Sequence, residues 1–166
     1  VQADWSAKTT ATKISALAGS TGVTASARTN AHLYTAATTN QAFTVKINGT
    51  TTGSFTITKN EVSTAVSAIN AIASTTGVSA KAIIHTSGVN TTHRVLLTDS
   101  DVDDFAIENT STSQDNTLVV DAVSFDGLTA VGTPRQLRVQ GQANDSAHVI
   151  GTIRATANDR FVIEQD

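Results

Sequence analysis

The chain contains no cysteine, which removes disulfide staples, thiol catalysis and thiolate zinc sites together. That absence fits an exported protein without disulfides as well as a cytosolic one. Charge is scarce too, at 15% of residues, and the net charge of −3 with a pI near 5.7 comes without any cluster of Lys or Arg. No cationic field is available to hold nucleic acid, so none is expected as a partner. Apolar runs are short: none approaches the roughly 20 residues a membrane helix needs. The opening Val1-Gln2-Ala3-Asp4-Trp5 is not the basic start of a signal peptide. A soluble piece of something longer, not bound to a membrane, is the expectation. Aromatic residues make up 4% and there is a single proline.

What fills the chain instead is Thr, Ser, Asn and Ala, with Val, Ile and Leu supplying the apolar positions. At 166 residues and a hydrophobic fraction of 39% it can bury one core of ordinary size or two small ones. Branched Thr side chains suit a pleated, half-exposed surface, so a β-rich fold is expected.

Within that plain composition, one phrase is written twice. Residues 68–82 read AINAIASTTGVSAKA and residues 13–27 read KISALAGSTGVTASA. At a shift of 55 (69 − 14), Ile69 falls on Ile14, Ile72 on Leu17, and Thr76-Gly77-Val78 on Thr21-Gly22-Val23. Thr58-Lys-Asn-Glu61 has the form of a capping box, and Val62, Val66, Ile69 and Ile72 recur at helical spacing, so a helix is expected over 59–74. Gly77 should end it, because a residue without Cβ enters the left-handed conformation at no steric cost. Val78, Ala80, Ala82 and Ile84 then alternate as a strand. The first copy predicts a helix over 7–18, a stop at Gly22 and a strand from Val23.

Upstream of the second helix, Phe43, Val45 and Ile47 alternate, Asn48-Gly49 makes a turn, and Phe55 and Ile57 return as a hairpin. Downstream, Val95 and Leu97 are expected to form a strand pair with Phe105, Ile107 and Glu108. The segment Asp103-Asp-Phe-Ala-Ile-Glu108 returns as Asp159-Arg-Phe-Val-Ile-Glu164, a shift of 56 (161 − 105). A unit this small would stack on its neighbours to bury its apolar face. The fold class expected is α+β: mostly antiparallel β-strands with two short amphipathic helices, built from repeated hairpin–helix–strand modules. Residues 1–42 would be a partial module of helix and strands, 43–110 a complete one, and 111–166 a β-rich segment ending in a partial repeat.

The order Phe43-Thr-Val-Lys-Ile-Asn-Gly49, then Ala68-Ile69-Asn70-Ala71, Thr76-Gly77-Val78-Ser-Ala80 and Phe105-Ala-Ile-Glu108 resembles the flagellin/hook "IN" motif, named for its Ile-Asn pair. That motif recurs in the outer, variable domains of bacterial flagellins and in flagellar hook-associated and cap proteins. The match covers 43–108 and is partial over 12–35, where Ile14-Ser15 stands for Ile-Asn, and over 151–164; residues 111–150 depart from it. By this resemblance Ile69, Asn70, Gly77, Val78, Gly22 and Val23 are structural positions, and the family offers no catalytic residue or cofactor to carry over. Flagellins polymerise through long helices at both chain ends, and no long heptad pattern occurs here. The resemblance therefore implies an exposed outer domain of a flagellin, extracellular, decorating the filament, contacting other flagellin subunits and presenting antigenic surface. Host receptors or glycans are further partners it implies. The equivalent domain of a filament cap or hook-associated protein is the alternative. A secreted glycan-binding adhesin or phage-tail module that converged on the motif is a second alternative.

Chemical readings carry less. Asp99-Ser-Asp101-Val-Asp103-Asp104 has the alternating carboxylates of a calcium loop, with Asp99, Asp101 and Asp103 as the candidate ligands. Yet Asp104 stands where an EF-hand wants Gly and Thr110 where it wants Glu; a solvated acidic turn is the plainer expectation. His85 and His93 flank a turn and offer half a zinc site, with no third ligand evident. There is no Gly-x-Ser-x-Gly and no HExxH, and enzyme activity is not expected. Four Asn-x-Ser/Thr triplets begin at Asn48, Asn90, Asn109 and Asn144. O-linked modification, by resemblance to flagellins, points to Thr110-Ser111-Thr112-Ser113 and to Thr50-Thr-Thr52. The expected core comprises Ile14, Leu17, Phe43, Val45, Phe55, Ile57, Val66, Ile69, Ile72, Val95, Leu97, Phe105, Ile107, Val119, Phe125, Leu137, Val139, Ile153, Phe161 and Ile163.

Overall fold

The computed structural model describes residues 6–99, 101, 103–112 and 118–158. In order, the elements are helices α1 (Ala7–Ala16) and α2 (Ala18–Thr21), and strands β1 (Val23–Tyr34), β2 (Gln41–Phe43), β3 (Val45–Ile47), β4 (Thr50–Thr51) and β5 (Phe55–Ile57). Helices α3 (Ser63–Asn70) and α4 (Ala73–Thr76) follow, then β6 (Val78–Ser87), β7 (Asn90–Asp99), β8 (Phe105–Asn109), β9 (Leu118–Val123), β10 (Arg135–Leu137), β11 (Ser146–Val149) and β12 (Thr152–Ala157). Every strand pairing among the described residues is antiparallel, so the α+β, mainly antiparallel expectation holds.

The main sheet runs β10-β9-β1-β7-β6. Its centre is β1, a strand of 12 residues: the first half pairs with β12 and the second lies between β7 and β9. Strands from all three segments drawn from the sequence thus interleave around β1. A second sheet runs β11-β8-β3-β4, and β2 pairs with β5. The expected pairing of the Val95–Leu97 strand with the Phe105–Glu108 strand does not occur. Instead β7 lies between β1 and β6, while β8 crosses to the other sheet between β3 and β11. Adjacent strands in sequence therefore face one another across the core.

That core is one cluster. Ala31, Leu33, Val95, Leu97, Leu118 and Val120 from one face of the main sheet meet Val45, Ile47, Phe105 and Ile107 from the second sheet, with Ile69 and Ala65 of α3. Phe43 and Phe55 are cross-strand partners with ring centroids 6.1 Å apart. Asn48 takes a positive φ of 47° and Gly49 one of 84°, which matches the twist a two-residue hairpin turn needs between β3 and β4.

Several sequence expectations shift. Both helices are shorter and broken, at Leu17 and at Ile72. The capping box does not form: Thr58 and Glu61 bridge each other in a tight turn, with Thr58 N donating to Glu61 O at 2.9 Å. Helix α3 begins only at Ser63, whose N–H donates to the Glu61 carboxylate at 2.6 Å. The turn that ends β5 takes the residues the cap would have used. Leu17 is 61% exposed and Ile153 39%, so neither belongs to the core. Ile14, Val66, Ile72, Val119 and Phe125 are half-buried. At β9 the inward phase falls on Leu118 and Val120, one residue either side of Val119. Ile84 is 67% exposed because the β6–β7 hairpin reaches past the helix that covers its base. Phe161 and Ile163, with the second copy of the acidic segment at 159–164, lie outside the described residues.

Candidate functional site

Two helix-to-strand corners carry the repeated phrase, and they close with a shared set of hydrogen bonds. Gly77 sits at φ 75° and Gly22 at φ 69°, each closing a helix in the left-handed conformation. Gly77 N donates to Ala73 O at 2.9 Å and Gly22 N to Ala18 O at 2.8 Å. Just before each glycine, a threonine hydroxyl donates back to the helix and accepts the first strand amide. Thr76 Oγ1 serves Ile72 O (3.1 Å) and Val78 N (3.2 Å), and Thr21 Oγ1 serves Leu17 O (2.9 Å) and Val23 N (3.2 Å).

The Ile-Asn pair has a physical role at this corner. Ile69 is fully buried, and the Asn70 carboxamide brackets one residue of the returning strand. Its Nδ2 donates to Ala80 O at 2.9 Å and its Oδ1 accepts from Ala80 N at 2.8 Å. In the first corner Ser15 does the same with a single atom: its Oγ donates to Ala25 O and accepts from Ala25 N, both at 2.9 Å. A hydroxyl is donor and acceptor at once, so Ser replaces Asn without leaving a strand group unpaired.

The second face of the main sheet holds a polar cluster that sequence reading missed. His32 is 1% exposed, with the Arg94 side chain beside it on β7 and Asp121 on β9. His32 Nε2 lies 2.9 Å from Gly127 O, so it carries the proton and donates, leaving Nδ1 to accept from Arg94 Nη1 at 3.3 Å. Arg94 lies 3.9 Å over the Tyr34 ring and 3.7 Å from the Asp121 carboxylate. Asp121 Oδ1 is buried and has no partner among the described residues. Burial pushes the His32 pKa below its ordinary value; the Gly127 bond opposes that, Arg94 and His85 add to it, and Asp121 opposes it. Burial also lowers His85 and raises Tyr34. The loop 124–131 covers this face, tied down by Asn30 Nδ2, which donates to Ser124 O and Phe125 O at 3.2 Å. No periodicity announces such a cluster, because its members come from four strands and meet only through register.

The other candidates separate. Asp99 Oδ1 accepts from Asp101 N at 2.8 Å, Asp103 pairs with Lys8 at 3.4 Å, and Asp104 accepts from Gly151 N at 2.9 Å. The Asp99 and Asp103 carboxylates are thus engaged in a turn and an ion pair, and among the described residues no three His, Cys or acidic side chains group around a metal position. His85 lies opposite Thr92 and His93 opposite Ile84, so the two imidazoles point to different faces. His85 meets His32 instead, with ring centroids 5.9 Å apart. Ser111 is 7% exposed and its hydroxyl accepts from Thr44 N at 2.9 Å. The Thr110 hydroxyl donates to Thr44 Oγ1 at 3.1 Å, Thr112 is exposed, and Ser113 lies outside the described residues.

No family model matches the chain, and no curated protein matches it. Among solved structures it is similar to the crystal structure of FliD (HAP2) from Pseudomonas aeruginosa PAO1, at 13% identity over 82% of this chain and 81% of that one, with a TM-score of 0.30. A likeness of that size fixes neither fold nor function. No helix among the described residues is long and apolar enough to cross a membrane.

Proposed function

We propose that this chain is a structural, non-catalytic outer domain of a bacterial flagellin, exposed on the filament and built from two copies of one helix–corner–strand module. The observation that carries the reading is the use made of the Ile-Asn pair: Ile69 anchors the helix in the core while Asn70 closes on Ala80. That is a reason for the pair to recur wherever a short helix must be fixed to the strand that follows it. The matching set of bonds at Ser15, Thr21 and Gly22 supports a second copy at the same spacing. His32, Arg94 and Asp121 lock neighbouring strands and their covering loop together, and none of them lines the clefts around Arg135, His148 or Thr110.

The test is immunogold electron microscopy of source cells with antibody raised against this fragment. Label along whole filaments is the expected result. Gold confined to tips or hook junctions would move the domain to a cap or hook-associated protein. Label away from flagella would overturn the flagellar reading and direct attention to glycan-binding screens.

A further inference from the structure

Strand β10 of the main sheet and β11 of the second sheet approach each other, and a groove opens beside them. One part, of about 400 Å³, is lined by Arg135, Gln136, Arg138 and Asn144; the adjoining part, of about 250 Å³, shares Thr133 and Arg135 with it and is walled by all four residues of β11. We propose that this groove is a docking site for an extended, acidic peptide segment of a partner protein, which pairs along the outer edge of β11.

Three observations converge on that occupant. The first is backbone. Strand β11 ends its sheet and, among the described residues, is hydrogen-bonded to β8 alone, so its other edge has no strand partner among them. Such an edge is a template for a further strand unless it is blunted. Edge strand β10 is blunted by Pro134 just before it and by its own first residue, Arg135; β11 reads Ser-Ala-His-Val, with no proline, lysine or bulge.

The second is charge. In a chain of net charge −3, Arg135 and Arg138 both line the groove, neither forms an ion pair among the described residues, and no described Asp or Glu lines either part. Arg135 is held in place, its Nη1 donating to Asn144 Oδ1 at 2.7 Å. Asn144 itself sits at φ 69° and accepts Arg138 N on its carbonyl at 3.1 Å. A guanidinium held this way presents its remaining donors to a carboxylate with little further loss of freedom.

The third is the floor. Val120, Ala122, Ala147 and Val149 line the second part of the groove. Side chains of an extended segment alternate between two faces. One set would settle against these apolar residues and the other would meet the guanidinium rim, so the favoured partner alternates acidic and apolar residues. The inference does not depend on the flagellar reading.

The test is a titration of the isotope-labelled chain, followed by amide NMR shifts, with a short peptide alternating Glu and Val. The expected result is a set of shifts centred on Ser146–Val149 that weakens as salt is raised. In the double variant Arg135→Glu, Arg138→Glu, both positions being exposed, affinity should fall by about tenfold or more, with the spectrum otherwise unchanged. A peptide alternating Lys and Val should leave the same amides unmoved. Absence of shifts with the Glu/Val peptide, or equal shifts with the Lys/Val peptide, overturns the proposal. Equal affinity for free glutamate or glucuronate overturns it as well, because it would make the groove a carboxylate pocket and not a strand site.

Discussion

The two corners share their hydrogen bonds and differ in what covers them. At the second, α3 packs under β5 and against β6, and Val62, Ala65 and Ile69 are each no more than 1% exposed. At the first, α1 rests on the β1–β12 ribbon, where Ile14 is only half-buried and Leu17 points to solvent. The same local instruction is therefore followed twice in different surroundings. Local bonding draws the corner, and burial decides how much that corner contributes to stability.

The largest test of this difference is truncation of the two matching isoleucines. Ile69→Ala should cost about 3 kcal/mol, within the range for emptying a well-packed core position, whereas Ile14→Ala should cost about 1 kcal/mol at its half-buried site. Urea unfolding of both variants checks the ratio; equal losses would show that burial does not separate the corners. Next come the helix stops. Gly77→Val and Gly22→Val force a branched L-residue into positive φ and should each cost about 1–2 kcal/mol. No heavy atom approaches within 4 Å of a Cβ built on Gly22, so there the loss is backbone strain alone. An unchanged melting temperature for either would break the equivalence of the stops.

A smaller effect falls on the brackets. Asn70→Ala should lose about 1 kcal/mol by removing the side-chain partner of both the Ala80 N–H and C=O. Asn70→Ser should recover part of it, since Ser15 already performs this task at Ala25. Faster hydrogen exchange at the Ala80 amide, reversed in part by Ser, is the signature. Equal exchange in the Ala and Ser variants would refute the substitution logic.

The last prediction concerns the β1 segment beyond the first corner. The pKa values of His32 and His85 are lowered by folding, so below about pH 6.5, the ordinary histidine value, the unfolded chain binds more protons than the folded one. Stability should therefore fall as pH drops through that value toward the lowered pKa values. Glu61 and Asp126 are shifted down by hydrogen bonds, chiefly to Ser63 and Ser124. They act only lower, where stability present above their ordinary pKa is lost as pH falls through the folded value. Urea unfolding at about pH 7 and about pH 5.5 should show the loss, and His32→Gln should reduce it. A loss of equal size in that variant would remove His32 as its source.

Much of the corner was legible in the sequence. Gly77 and Gly22 announce themselves because left-handed backbone nearly demands glycine, and the spacing of Val62, Val66, Ile69 and Ile72 marks a helix, of which Val62 and Ile69 with Ala65 form the buried face. The start of α3 was misplaced because Thr58 and Glu61 satisfy a capping pattern that the bridge at the end of β5 overrides. The polar cluster was illegible. His32, His85, Arg94 and Asp121 are far apart in the chain, and each looks like an ordinary polar residue on an alternating strand. The groove beside β11 was hidden for the same reason, since an edge exists only once it is known which strands pair.

By itself, then, the sequence determined what depends on near neighbours: two short helices, their glycine stops, the hairpin at Asn48-Gly49 and a β-rich, antiparallel chain without cysteine chemistry. Tertiary structure alone decided which strands meet. It sent β7 and β8 to different sheets, paired β1 with β12 along one half and with β7 and β9 along the other, set His32 against Arg94 and left β11 at an edge. The physical reason is range. Backbone conformation and capping are settled within a turn or two of chain, but strand partners are chosen by the burial of a shared core, to which every segment contributes at once.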